Sequence, residues 1–166
     1  VNRDNKDISI RAANQEDAET LFGWRNHPET RRMFINQSEV DATEHLEWFN
    51  TTIASEERIL LIGELANGAA FGVVRFDFDK SFNKAEISIT ISPDLRGQGL
   101  SGRLLSVAID NLRNLINSAR ARPSFHLTAR VRRENMSSIR LFQRAEFKLS
   151  CEDSEYLWFI REVKAV

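Results

Sequence analysis

The chain has 166 residues, 42% of them hydrophobic, with 23 Lys and Arg against 24 Asp and Glu for a net charge of −1. That is the size and apolar content of one packed domain, residues 1–166, and a balance so near neutral argues against a protein built to coat nucleic acid, which needs excess Lys and Arg. A single cysteine, Cys151, excludes an internal disulfide and fits a reducing compartment, three scattered histidines indicate no metal site, and the longest apolar runs are only strand-length. The polar start, Val1-Asn2-Arg3-Asp4-Asn5-Lys6, is no signal peptide. The expectation is a cytoplasmic globular protein that binds neither membrane nor nucleic acid, as a monomer or homodimer.

Residues 7–13 alternate around Ile8 and Ile10 and predict a short strand. Asn14 then caps a helix, with Asp17 three positions on and Ala18, Leu21 and Phe22 on one face; it ends near His27-Pro28, because a residue before proline resists the helical region. A second helix is expected over 43–53, with Leu46, Phe49 and Ile53 at helical spacing. The apolar run 58–65 reads as a buried strand, Asn67-Gly68 as a hairpin signal, and 70–78 as the returning strand, with Val74, Phe76 and Phe78 on one face and Arg75 and Asp77 on the other. After a polar turn, residues 85–92 alternate Ile87, Ile89 and Ile91 with Glu86, Ser88 and Thr90.

The run 96–105, Arg-Gly-Gln-Gly-Leu-Ser-Gly-Arg-Leu-Leu, stands between that strand and a helix reaching about residue 118. The helix stripe is Leu104, Leu105, Ala108, Ile109, Leu112, Leu115 and Ile116. Residues 125–131 predict a strand, 135–145 a short helix with Ile139 and Phe142 inward, and 147–151 and 156–160 two closing strands. Glycines at a strand-to-helix junction let the backbone turn its N–H groups toward one point, and the helix terminus adds partial positive charge. Such a bend suits an anion, above all a cofactor pyrophosphate.

Gly97, Gly99 and Gly102 satisfy G-x-G-x-x-G, yet the context is not that of a dinucleotide fold. The preceding strand alternates instead of being apolar throughout, Pro93 to Arg96 lengthen the turn, and Arg130 and Arg132 stand where an acidic ribose ligand belongs. A P-loop lacks its Gly-Lys-Ser/Thr. A loop that merely turns the chain is the plain alternative.

In these residues the chain resembles the GNAT superfamily of acetyl-CoA-dependent N-acetyltransferases. Its signature, Arg/Gln-x-x-Gly-x-Gly/Ala after the fourth strand, falls on Arg96, Gly99 and Ser101, with Ser in place of Gly/Ala. Its second mark, Asn-x-x-Ala closing on an aromatic and Gly-Phe, falls on Asn135, Ser138, Phe142, Glu146 and Phe147, with Ser138 for Ala and Glu146 for Gly. The resemblance covers nearly the whole chain. It implies an α/β (α+β) fold with one mixed, mostly antiparallel sheet of about seven strands flanked by four helices.

The resemblance further implies that acetyl-CoA is the co-substrate. The amides of Gly97, Gln98, Gly99, Ser101 and Gly102, with Arg96, would hold its diphosphate, and the backbone at Ile89 and Ile91 would pair with the pantetheine arm. A free N–H near Ile91 or Ser92 would stabilise the developing oxyanion. Asn135, with Ser138, would contact the pantetheine or the loop; Asn135 also suits the N-cap of its helix. An amine attacking a thioester must first lose a proton, and Glu86 is the candidate base, with a solvated strand-end carboxylate as the alternative and His45 and Asp77 in reserve. Phe142 stands where relatives often carry a proton-donating Tyr, which leaves the acid unassigned.

The acceptor side is expected around Trp24-Arg25-Asn26 and His45-Leu46-Glu47-Trp48, with Arg25, Asn26, His45 and Trp48 as substrate contacts and Arg31 and Arg32 close by. Arginines beside tryptophans suit a phosphate and a base. This pattern resembles acetyltransferases of nucleotide-linked amino sugars in pseudaminic acid pathways, so a small amino-sugar nucleotide is the expected substrate. Acetylation of a ribosomal protein N-terminus, and an acyl-CoA sensor without turnover, are the other two readings.

Overall fold

Alternating side chains build the sheet and helical stripes cover it. A computed structural model describes residues 8–120 and 124–164, so Asp7 of the expected first strand and the polar start lie outside the described residues. The strands are β1 (Ile8–Ala12), β2 (Arg58–Leu65), β3 (Ala70–Phe78), β4 (Lys84–Ile91), β5 (Ser124–Arg132), β6 (Lys148–Glu152) and β7 (Tyr156–Lys164). They form one seven-stranded sheet in the order β1-β2-β3-β4-β5-β7-β6. Every neighbouring pair is antiparallel except β4 and β5.

Among the described residues, five α-helices accompany the sheet: α1 (Ala18–Asn26), α2 (Pro28–Met33), α3 (Ala42–Ile53), α4 (Leu100–Arg120) and α5 (Met136–Arg144). The expectation of four is corrected by α2. His27, at φ −59° and ψ 131°, leaves the helical region and ends α1, as a residue before proline should. Pro28 then opens a new helix at its first position, where a missing N–H costs nothing.

Side-chain parity divides the core between the two faces. Val74, Phe76, Ala85, Ile87, Leu127 and Ala129 meet Leu104, Leu105, Ala108 and Leu112 of α4 and Phe142 of α5. Leu60 and Ile62 meet Leu21 of α1 and Phe49 of α3 on the other face, with Trp24, Trp48 and Val73 packed around them. Each large side chain removed from water contributes about 1.5–3 kcal/mol. Leu46 and Leu115, expected on apolar stripes, instead face solvent at 47% and 46% exposure.

Close packing fixes where α4 begins. Gly63 and Gly72 are register partners on β2 and β3. A Cβ on either would stand 2.7 Å from a Leu104 methyl, so the glycines form a notch for Leu104. Seating Leu104, in the second turn, anchors the start of α4 and with it the glycine-rich bend that leads in.

The N-terminal segment is pinned by charge. Asn14 and Asp17 form a reciprocal capping box, and Arg11 donates to both Asp17 oxygens at 2.7 and 2.8 Å and to Glu64 at 2.7 Å. Burial pushes the Asp17 carboxyl up, but Arg11 and the Asn14 N–H outweigh it and hold the group below its ordinary value.

Candidate active site

The parallel pair β4–β5 is registered only from Lys84↔His126 to Glu86↔Thr128. Beyond Glu86 the strands part, although β4 runs on to Ile91 and β5 to Arg132. Hydrogen-bond alternation says which groups face the gap. Asp79 N–H donates to Lys84 C=O at 3.0 Å and Ser92 N–H to Phe71 C=O at 2.8 Å. The main-chain groups of the even-numbered β4 residues therefore point at β3, and those of Ile89 and Ile91 point into the gap. Of the two expected oxyanion donors, Ser92 is thus already engaged across the sheet, and Ile91 N–H faces the opening.

The bend lies at the head of this gap. Gly97 and Gly99 have φ of 76° and 74°, a left-handed conformation that costs other residues roughly 1–2 kcal/mol. Nothing lies within 4 Å of a Cβ built on either, so conformation alone calls for glycine. Leu100 begins α4, whose first-turn N–H groups have no acceptor inside the helix. Gly97, Gly99, Leu100 and Ser101 line the cleft, whereas Gln98 and Gly102 are not among its walls. A Cβ on Gly102 would instead stand 4.0 Å from Leu141.

Across the gap, Asn135 caps α5 by accepting from Ser138 N–H at 3.1 Å. Asn135, Ser137 and Ser138 line the same cleft. Phe142 is 3% exposed and packs on Phe147 and Phe159; it has no proton to give.

Arg96 behaves unlike an anion ligand. Its Nε donates to Ile91 C=O at 3.3 Å, its Nη2 donates to the Thr30 hydroxyl, and its Nη1 lies 3.5 Å from Glu29. Burial lowers its pKa and Glu29 partly offsets that.

The cleft continues past the gap to α1–α3 and measures about 810 Å³. Its acceptor side includes Trp24, Arg25, Arg32, Trp48, Arg75 and Glu86. The Glu86 side chain is 48% exposed, 4.0 Å from Arg130 Nη2. Asp77, a reserve base, is not a wall of the cleft; Arg75 grips it at 2.8 Å, with Arg58 at 3.6 Å. Arg75 also lies over Trp48 at 5.7 Å.

Three of the expected acceptor contacts hold the wall together. Asn26 is corrected most clearly. Its amide donates to Val40 C=O at 2.8 Å and accepts from Val40 N–H at 2.9 Å, and it does not line the cleft. His45 lines the cleft but is 5% exposed, 3.0 Å by Nε2 from Ala18 C=O and packed against Phe22, Trp48 and Phe49. Burial lowers its pKa, the Ala18 carbonyl opposes this, and Arg25 adds to it. A neutral ring that donates Nε2–H to Ala18 fits this setting. Arg25 stacks on Phe34 at 4.6 Å and donates to Asn36 C=O at 2.8 Å. Its partial desolvation holds its pKa below the usual value. Arg31 pairs with Glu39 at 2.9 Å.

Sequence reasoning missed Arg75 and Thr30 as parts of the site. The alternation of β3 carried a signal for Arg75, because it pairs with Ser88 on the face that bears Glu86. Nothing local marked Thr30. Among the described residues, no group of three or more His, Cys, Asp or Glu could hold a metal, and no helix is long and apolar enough to cross a membrane.

The sheet splits beside a glycine bend at a helix start, and the chain belongs to the GNAT acetyltransferase family. The family model, described as an acetyltransferase (GNAT) domain, matches residues 7–148. The chain is 25% identical over 146 residues to acetyltransferase PseH of Campylobacter jejuni, covering 86% of this chain and 84% of that protein. It is 28% identical over 150 residues to L-amino acid N-acyltransferase MnaT of Escherichia coli K12, covering 87% and 82%. Its fold matches a spermidine N-acetyltransferase of Vibrio cholerae, solved with CoA and spermine, at a TM-score of 0.81 and 17% identity, over 93% and 95% of the two chains. The protein is an N-acetyltransferase.

Proposed function

We propose that the protein acetylates the amino group of a nucleotide-activated amino sugar, with acetyl-CoA as donor. The observation that carries the reading is the split beyond Glu86, where the unpaired edge of β4 leads to the glycine bend on one side and to an arginine- and tryptophan-bearing wall on the other. The N–H groups of Gly97, Gly99 and Ser101 suit a diphosphate. The Ile89 N–H and C=O offer strand-like pairing to the pantetheine amides, and the Asn135 amide offers a further contact. Bound acetyl-CoA supplies the acyl group as an activated thioester.

The protein's own groups then divide the work. Ile91 N–H is aimed where negative charge develops on the acetyl oxygen. Glu86 lines the cleft as an exposed carboxylate able to take the amine's proton directly or through one water. The exposed Cys151 lies on β6, two strands beyond β5, which favours direct attack over an acyl-enzyme.

The acceptor class follows from charge and shape. Among the described residues, five arginines and three glutamates line the cleft, an excess that suits an anionic acceptor better than a polycation. Trp24 and Trp48 give a base or sugar ring a flat surface. The acceptor-side pattern, which resembles acetyltransferases of nucleotide-linked amino sugars, supports a sugar. A second reading, an L-amino acid, rests on the similarity to MnaT. Thiol release from acetyl-CoA, measured against UDP-linked amino sugars, L-amino acids and short peptides, separates the readings. Turnover with the sugar nucleotides is expected; turnover with amino acids or peptides alone would overturn the proposal, and saturable coenzyme binding without any turnover would favour a sensor.

A further inference from the structure

Arg96 opens the glycine bend, yet its guanidinium turns away from it. Its N–H groups reach the last residue of β4, through Ile91 C=O, and helix α2, through Thr30 and Glu29. Thr30 is 3% exposed, and the same helix carries Arg32 and Met33 into the acceptor side of the cleft. One rigid planar group therefore joins the bend, the strand that carries Ile91 N–H, and the acceptor wall.

We propose that Thr30 is a positioning residue. Through Arg96 it couples filling of the glycine bend to the order of α2, so that coenzyme binding readies the acceptor wall. The proposal rests on the reading of the bend as the coenzyme's diphosphate cradle. The Arg96 main chain precedes left-handed Gly97 directly, so anchoring the amides of the bend anchors the base of the Arg96 side chain. A guanidinium presents its donors in a fixed fork and cannot follow partners that move independently. Helix α2 has six residues, too few to hold itself. The Glu29 contact, with Glu29 65% exposed, adds little. The Thr30 hydroxyl is thus the main polar tie between α2 and the bend. By linkage, a coenzyme that quiets α2 lowers the ordering cost of the acceptor, and the acceptor favours the coenzyme equally.

The test is backbone amide exchange over residues 29–34 of the whole protein, with and without saturating acetyl-CoA, beside calorimetric titration of acetyl-CoA. In the parent and in Thr30→Ser, exchange there is expected to slow severalfold on binding. In Thr30→Val, acetyl-CoA is expected to bind with Kd within about threefold of the parent, under 1 kcal/mol, while the slowing is lost. Arg96→Lys keeps a charge beside the bend but cannot span three partners, and is expected to lose the slowing as well. Equal slowing in Thr30→Val would mean that the coenzyme orders α2 by touching it, and would overturn the proposal. So would unchanged exchange in a parent that binds acetyl-CoA. A parent that gives no binding heat would instead overturn the cradle reading, and this proposal with it.

Discussion

Replacing Gly99 by alanine separates the cost of a backbone shape from the use of that shape. An added Cβ meets nothing within 4 Å, so crowding contributes nothing, and the penalty comes from φ of 74°. Holding an L-residue there costs about 1–2 kcal/mol, and the stiffer unfolded chain returns about 0.4–1 kcal/mol. The net loss of about 1 kcal/mol corresponds to a fall in Tm of about 2–4 °C for a chain of this size. Binding suffers more. If the residue relaxes toward negative φ, one or two amides swing away from the anion. Each hydrogen bond to a charged group is worth about 1.5–3 kcal/mol, so the Kd for acetyl-CoA should rise by roughly one to four orders of magnitude. Calorimetric titration gives the Kd and a thermal melt of the same samples gives the Tm. Gly102→Ala is the control: it sits inside α4 with ordinary contact to Leu141, and is expected to leave Tm unchanged or slightly raised. A Gly99→Ala protein with the predicted Tm and an unaltered Kd would refute the cradle.

Glu86→Gln is expected to lower kcat/KM at neutral pH by about 10²–10⁴, with recovery as pH rises and free amine becomes abundant; an unaltered pH–rate profile would remove Glu86 as the base. Asn26→Ala removes both hydrogen bonds to Val40 and should cost about 2 kcal/mol, read by urea unfolding, while raising the acceptor KM more than it changes kcat. Asp17 has its pKa depressed in the fold, so its contribution is complete above its unfolded value of about 3.9 and is lost as pH falls through the folded value. Asp17→Asn should therefore flatten the loss of stability below about pH 4, and an equally steep acid limb would contradict the Arg11–Asp17 assignment.

What could be read from the sequence was local. Period-two alternation located the strands, and a long helical stripe located α4, because each pattern follows from one element meeting one core. The glycines at 97 and 99 were legible as a bend for a different local reason: they hold φ of 76° and 74°, which other residues rarely adopt. Glu146, which stands where the family carries glycine, keeps that backbone at φ 64° and pairs with Arg161 at 3.3 Å. Helix α2 was missed because proline ends one helix and can begin another, and only the turn at His27 decides between them.

The roles of acceptor-side residues were legible only in part, because polar side chains look alike until their partners are known. Asn26 spends both amide atoms on Val40, and His45 engages Ala18 through Nε2, partners far along the chain, and both brace the wall. Arg75 becomes part of the cleft only through the pairing of β3 with β4. The separation of β4 from β5 beyond Glu86 has no local signature, since both strands alternate normally on either side of it.

The central claim is that the exposed edge of β4 and the glycine bend together receive acetyl-CoA. Amide NMR of the labelled protein during titration with acetyl-CoA tests it residue by residue. The account predicts that the resonances of Ile89, Ile91, Gly97, Gly99 and Ser101 shift most, with those of Ser88 and Thr90, hydrogen-bonded to β3, shifting less. Saturable binding that leaves Ile89, Ile91 and the bend unmoved would contradict it.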